Sequence, residues 1–483
     1  MNRFLAILIT VFSVFTLSAQ KGVNLDFETA STKNSLSPAG WKTGRLVNTD
    51  IWTEGEEGKG KALLLQPPFT ESGSGYAYQM IATNGKPLTR YKITARIRTE
   101  DIEGKNAYVY AYGKGTETYL SYVNTGALTG DGNWESVSMT FTADDRMDSI
   151  RLGCYLGGEG KAWFDDLSFE VQEPAKGKMS KEAKAYYKEF FAKISSDAID
   201  REKIDWKSLK RVARQMAAGA QAPSGLHEAM QYTLQRMNKH SFMFTPEAAF
   251  SFMGEGEEND EIKPDLVYTS GRRINDQVAY LSMPGMGSGH VPTMNVFADS
   301  IHALIAGLDN EQTSGWILDL RENGGGNCWP MLAGIGPLLG EGVCGYFMDR
   351  DGGNAQSWAY RNGTSYESDL ARTSVKQAYE LKGKNVRIAV LTGSGTASSG
   401  EVTAVAFLGK PNTRHFGQPS AGYATTNSSI RMSDGAMVLL TTSVYGDRNK
   451  VSANEQVIPD VIIEAVDGKD MALAAALRWL EEE

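Results

Sequence analysis

The sequence predicts a multidomain protein: an all-β sandwich, then a helical subdomain, then an α/β core. Short alternating runs between Gly, Asn and Asp turns fill residues 22–172. Three amphipathic helical patterns follow residue 178, and from about residue 277 apolar strands alternate with helical patterns. The length of 483 residues and the 41% hydrophobic composition suit roughly two to four domains of ~100–200 residues each.

The chain opens with a basic start, Met1-Asn2-Arg3, an apolar run from Phe4 to Leu17, and the small residues Ser18-Ala19. This is the pattern of a signal peptide over residues 1–19, too short for a membrane span. No later segment is long and apolar enough to cross a bilayer, so export to the periplasm or the medium is expected. A net charge of −9 argues against nucleic acid and anionic membranes as partners. Three cysteines are too few for a disulfide scaffold. Cys328 and Cys344 could pair, but buried thiols are the simpler expectation, and no Cys/His spacing suits zinc.

In the first domain, residues 20–173, the runs are Tyr91–Ile97, Ala107–Tyr112, Ser136–Thr142, Ser149–Cys154 and Ala162–Val171. Its ends read Asn24-Leu25-Asp26-Phe27-Glu28, leading to Gly40-Trp41, and Trp163-Phe164-Asp165-Asp166-Leu167-Ser168-Phe169. Together these resemble the jelly-roll, carbohydrate-binding-module-like (galactose-binding-like) domains of secreted bacterial enzymes. The resemblance implies a bound glycan or peptide. Trp41, Trp52, Tyr76, Tyr78 and Trp134 are the candidate stacking rings, although core packing accounts for most of them. Glu28 with Asp165 or Asp166 could hold a structural calcium, and a solvated turn explains the same carboxylates equally well. No cofactor is otherwise expected.

Pro174–Met179 reads as a linker. The helical subdomain, residues 178–265, places Tyr187, Phe190, Phe191 and Ile194 on one face after a Ser180 cap. Leu209, Val212, Ala213 and Met216 follow Asp205. Leu226, Met230, Thr233, Leu234 and Met237 follow Ser224, and that helix runs into Asn238-Lys239-His240-Ser241. Residues 254–264 are acidic and Gly-rich, a surface loop. In the α/β core, residues 266–483, strands are expected at Gln277–Met283, Trp316–Leu320 and Val386–Leu391. Helices are expected at Met294–Ile305, Trp329–Leu339 and Met471–Leu480. A hairpin is expected around Asp434-Gly435.

The chemistry is carried by four short stretches. Thr396-Ala397-Ser398-Ser399-Gly400-Glu401 lies between an apolar strand and an Ala/Val-rich helix. A serine at such a turn is rigid, and its neighbours' N–H groups can stabilise negative charge. Serine alone is a weak nucleophile and needs a base. His240, one of five histidines, stands at a helix end before an extended segment and could be that base; a lone helix-end histidine is more often structural. Asp319-Leu320-Arg321-Glu322-Asn323-Gly324-Gly325-Gly326-Asn327 joins a strand to a helix. It is no phosphate loop, because no Gly-Lys-Ser/Thr follows. Glu455, before the apolar Val457-Ile458, is by itself an ordinary surface carboxylate.

Their order is specific. With Gly417-Gln418-Pro419-Ser420-Ala421-Gly422 and Pro459-Asp460, these stretches resemble the tail-specific (C-terminal processing) serine peptidases over residues 178–483. That resemblance implies a ClpP/crotonase-like core and a peptide or unfolded protein as substrate. It implies Ser398 as nucleophile, three residues before Glu401. The Ser399 N–H and one from Gly325 or Gly326 would form the oxyanion hole. The chain departs from the bacterial branch at Tyr423, where that branch carries a lysine, and the span after His240 is too short for an inserted PDZ domain. It looks instead like the branch of the tricorn core and the retinoid-binding-protein repeats. Carried over from tricorn, a Ser-His-Ser-Glu tetrad would comprise Ser398, His240, Ser241 and Glu455. A binding protein without activity, an esterase and a glycosidase are the competing readings. The esterase lacks Gly-x-Ser-x-Gly, and no carboxylate pair stands out for the glycosidase.

Overall fold

The computed structural model describes residues 23–482 except 71–72, 84–87, 116–119, 144, 174–175, 254–266 and 465–468. The expected signal peptide and the acidic loop lie outside the described residues, as does the start of the linker. The chain divides into two units, residues 1–174 and 175–483. Among the described residues no helix is long and apolar enough to cross a membrane.

The first unit is a connected nine-stranded sheet. The runs expected as separate strands at 91–97 and 107–112 are one strand, Arg90–Gly115. Its first half pairs with Leu128–Thr142 and Glu159–Gln172, its second with Met147–Gly157 and Leu120–Asn124. Register shifts between Ile97 and Ala107 bend it from one half-sheet into the other. Leu63, Ile93, Phe141 and Phe164 of one half share a core with Ala77, Val109, Ile150 and Leu152 of the other. Trp41 and Trp52 belong to this packing, their indole N–H groups donating to Asn24 O at 3.1 Å and Phe27 O at 2.5 Å. Glu28 accepts from the Lys61 N–H at 2.8 Å, and Asp165 from the Asp166 N–H at 2.7 Å. Among the described residues no group of three or more His, Cys, Asp or Glu is placed to share a metal ion. All three cysteines are free and buried.

The second unit begins with the helices Lys181–Asp197, Trp206–Met216 and His227–Met237. Ser180 and Asp205 cap the first two. Ser224 does not cap the third. It sits inside a 3-10 turn, Pro223–Leu226, that leads straight into the helix. Phe190, Ile194, Met230 and Leu234 pack against Val438 and Leu440.

The central sheet has the order Ser270–Arg273, Val278–Ser282, Gly315–Asp319, Arg387–Thr392, Thr413–Gly417, Val461–Ile462. All its pairs are parallel except the first. Trp316, Leu318, Ile388 and Val390 face the helices Val291–Leu308 and Cys328–Gly334. Ile317, Ala389 and Leu391 face Met471–Glu481 on the other side. Burial on both faces is why these strands read as unbroken apolar runs. A second sheet contains Phe242–Phe244, Met437–Asp447, Gly342–Met348, Gln356–Arg361, Thr364–Glu367 and Leu370–Ser374, with Thr425–Arg431 paired to Met437–Asp447. Asp319 is in register with Leu391. The loops after these two strands therefore leave the same edge of the central sheet, where parallel α/β sheets gather their functional loops.

Candidate active site

Ser398 stands between the Arg387–Thr392 strand and the Ser399–Val405 helix, with φ 51°. A positive φ is costly for a residue with a Cβ, by ~1–3 kcal/mol. Several bonds hold it there. The Ser398 N–H donates to Glu401 Oε2 at 2.7 Å. The Ala397 N–H donates to Asn323 O at 3.0 Å, and Thr396 Oγ1 donates to Leu320 O at 2.8 Å. Glu401 is fully buried. Its Oε1 accepts from the Ser420 hydroxyl and from the Gly422 N–H at 3.1 Å, and its Oε2 accepts from the Tyr423 N–H at 2.9 Å. Burial pushes its carboxyl up to about 7, against the pull of these donors.

The Gly-rich loop lies against this turn. At Gly325, with φ 98°, a Cβ would come within 2.9 Å of Ser398 Cβ and 3.0 Å of the Ser399 nitrogen. At Gly326, with φ 112°, it would come within 2.2 Å of Met286 O. Only glycine permits either approach. The Gly325 N–H is taken by Asn323 Oδ1 at 3.0 Å. No bond among the described residues uses the Gly326 or Ser399 N–H, while the Ser399 hydroxyl ties the two segments by donating to Gly326 O at 2.7 Å. The loop's root is clamped by Arg321. Its Nε donates to Asp319 at 3.0 Å, and its Nη1 and Nη2 each donate to Asp470 at 2.8 Å.

His240 reaches this site from 158 residues away, its Nε2 lying 3.1 Å from Ser398 Oγ. Its Nδ1 lies 2.8 Å from Thr425 Oγ1. If Nε2 accepts the serine proton, Nδ1 carries the hydrogen and Thr425 accepts it. The His240 backbone is held too: its N–H donates to Asn238 Oδ1 at 2.8 Å, and its carbonyl accepts from Asn427 Nδ2 at 2.7 Å. Tyr423 packs edge-on against the imidazole, centroids 5.2 Å apart, and the Lys239 ammonium lies 5.1 Å from the Tyr423 ring. Burial, then the Lys239 charge, lowers the imidazole from 6.5 to about 4. It is therefore neutral at pH 7. Buried Tyr445 completes the surroundings, its hydroxyl held well above the usual phenol range by burial.

Of the expected site residues, Ser398, His240, Ser399, Gly325 and Gly326 come together. Ser241 and Glu455 do not join them, which corrects the expected tetrad. Ser241 enters the extended Phe242–Phe244 segment, where successive side chains point to opposite sides. It therefore turns away from His240 and donates to Thr441 Oγ1 at 2.9 Å. The Glu455 carbonyl accepts from the Ala424 N–H at 3.1 Å, but its carboxylate, half exposed, pairs with Arg350 at 2.9 Å. The group at the far side of the imidazole is Thr425, which no motif in the sequence marks. Its signal is alternation: Tyr423 and Thr425 lie two residues apart, and both meet His240.

Residues 277–463 match the model of Peptidase family S41. The nisin-resistance protein of Lactococcus lactis subsp. lactis is 32% identical over 187 residues, 38% of this chain and 56% of that protein. The chloroplastic carboxyl-terminal-processing peptidase 2 of Arabidopsis thaliana is 28% identical over 177 residues, 34% of this chain and 30% of that protein. The matches thus span about half or less of these curated relatives. A solved lipoprotein from Streptococcus agalactiae superposes with a TM-score of 0.51 at 22% identity, covering 62% of this chain and 97% of its own, a likeness of fold. Ser398 and both loop glycines fall inside the matched segment, and His240 precedes it. Over residues 277–463, the α/β core, the chain is therefore similar to peptidase family S41.

Proposed function

We propose that the protein is an exported serine peptidase that hydrolyses peptide bonds with Ser398 as nucleophile, His240 as base and Thr425 as the residue that orients the base. The observation that carries this reading is the 3.1 Å approach of His240 Nε2 to the hydroxyl of a serine held at positive φ at a helix start. As Ser398 Oγ attacks the carbonyl carbon, its proton passes to Nε2. The carbonyl oxygen becomes an oxyanion beside the Ser399 and Gly326 N–H groups, which no protein acceptor claims among the described residues. The imidazolium then gives its proton to the leaving amine. Water, deprotonated in turn by His240, hydrolyses the acyl-enzyme. Thr425 Oγ1 fixes the ring and the tautomer throughout.

The substrate class is a short or unfolded peptide; that a relative is named a carboxyl-terminal-processing peptidase supports a peptide substrate and nothing narrower. Export rests on the leader at residues 1–19. A fluorophosphonate probe tests the site. It is expected to label the wild type, to fail on Ser398→Ala, and to label His240→Ala far more slowly. Persistent labelling of Ser398→Ala would exclude this nucleophile. A folded wild type that takes no label would instead favour a binding protein.

A further inference from the structure

One half of the N-terminal sheet has a core side and a second side of quite different chemistry. Ala77, Val109, Leu152 and Cys154 face the core. The alternate positions carry tyrosines in cross-strand rows. Tyr112 lies opposite Arg151, and Arg151 opposite Met80. Tyr110, Gly153, Tyr78 and Lys42 form a second row, and Tyr108, Tyr155, Tyr76 and Gly44 a third. Two glycines let the rings lie down on the strands: a Cβ at Gly153 would come within 2.3 Å of the Tyr110 ring, and one at Gly44 within 2.3 Å of the Tyr76 ring. Tyr122, on the next strand, is exposed and stacks on Tyr110 at 6.2 Å.

Arg151 is the centre of this face. Its guanidinium lies 3.5 Å from the Tyr78 ring centre and 4.8 Å from that of Tyr76, and its Nη1 donates to the Tyr112 hydroxyl at 2.9 Å. Its Nε is buried and has no hydrogen-bond partner. No carboxylate pairs with it among the described residues. Burying a cation without an anion is unfavourable, and a ligand carboxylate would reverse that cost. Lys42, opposite Tyr78, and Lys114, opposite Ser149, share the face by register. No Asp or Glu occupies a described position of these strands facing this way.

We propose that this face binds a carboxylated oligosaccharide, a chain of uronic acid residues. Arg151 and Lys42 would meet the carboxylates, and the half-buried Tyr76, Tyr78, Tyr108 and Tyr155 with the exposed Tyr122 would meet the faces and hydroxyls of the sugars, over the buried Tyr110 and Tyr112. Five strands spaced ~4.8 Å apart give a platform ~19 Å across, enough for several sugar rings.

The test is calorimetric titration of the full chain with an oligogalacturonate, its methyl ester of equal length, and single-stranded DNA. The wild type is expected to bind the acid at least about tenfold more tightly than the neutral ester. Arg151→Gln should lose about tenfold or more for the acid and little for the ester. Lys42→Glu, at an exposed position where folding is not at issue, should lose less and mainly at low salt. Equal binding of acid and ester, no binding of the acid, tighter binding of DNA, or an affinity unchanged in Lys42→Glu would each overturn the proposal.

Discussion

Thr425→Val tests the least expected feature of the site. Valine keeps the shape and removes only the oxygen 2.8 Å from His240 Nδ1. Both groups are buried, so water cannot replace it. Leaving a buried N–H unsatisfied costs about 1–3 kcal/mol, and the cost is greater once the ring is an imidazolium. If the difference falls on the transition state, kcat for a fluorogenic peptide drops about 5- to 150-fold, with KM little changed. Thr425→Ser restores the acceptor and should recover most of the rate, which a merely structural role would not require. Glu455→Gln and Ser241→Ala are the paired controls, expected within about threefold of wild type because neither side chain reaches the imidazole. Thermal melting of each variant separates lost catalysis from lost fold. A Thr425→Val enzyme at full rate, or a Glu455→Gln enzyme as impaired as Thr425→Val is predicted to be, would refute this assignment and restore the glutamate.

The acid limb of kcat/KM should have its midpoint near pH 4, because the folded imidazole titrates at about 4 in place of 6.5; a midpoint near 6.5 would contradict the burial described. The same lowered value predicts stability that is full above pH 6.5 and lost as pH falls toward 4, read as a declining Tm. Glu401 has the opposite sign: raised from 4.5 to about 7, it contributes stability below 4.5 that is lost as pH rises through 7. Glu401→Gln should lower stability by about 1–3 kcal/mol in denaturant titrations, because an amide NH2 at either end faces a donor. Gly325→Ala should abolish fluorophosphonate labelling in a chain that still melts cooperatively, since its Cβ would come within 2.9 Å of Ser398 Cβ. Ser398→Gly should be more stable than Ser398→Ala by about 1 kcal/mol, because glycine adopts φ 51° without strain.

The legible parts of the chain were those whose local pattern matches their environment. Val278–Ser282, Gly315–Asp319 and Arg387–Thr392 are covered on both faces, so their apolar runs could hardly be read otherwise. The strands between Gly342 and Ser374 were not foreseen. Arg361-Asn362-Gly363 and Asp351-Gly352-Gly353 dominate that stretch and hide pairings made only in the second sheet. Ser398 and the loop glycines were legible because a strand-to-helix turn is a local event. The partner of His240 was not, because it is fixed by where residue 425 of another strand falls. The resemblance pointed to Ser241 and Glu455. Strand alternation after His240 and the charge of Arg350 decided against both.

An imidazole flanked by a hydroxyl must work differently from one flanked by a carboxylate. At pH 7 a free histidine is already about three-quarters neutral, so lowering its pKa to about 4 gains almost no additional base. The same shift weakens each proton transfer from serine by roughly 3 kcal/mol in the empty site. Thr425 offers the imidazolium a dipole and no charge, so it cannot offset this. The compensating charge has to be the oxyanion itself, which forms beside the ring and pairs with it. On the proposed mechanism, His240 is then a competent base only while negative charge builds next to the Ser399 and Gly326 N–H groups, and removing either donor should also disable the base. That coupling predicts that defects at the oxyanion loop and at His240 overlap and do not multiply. The rate lost by combining His240→Ala with a loop substitution such as Gly326→Ala should be close to that lost by His240→Ala alone, and full multiplication of the two losses would show that base and oxyanion hole act independently.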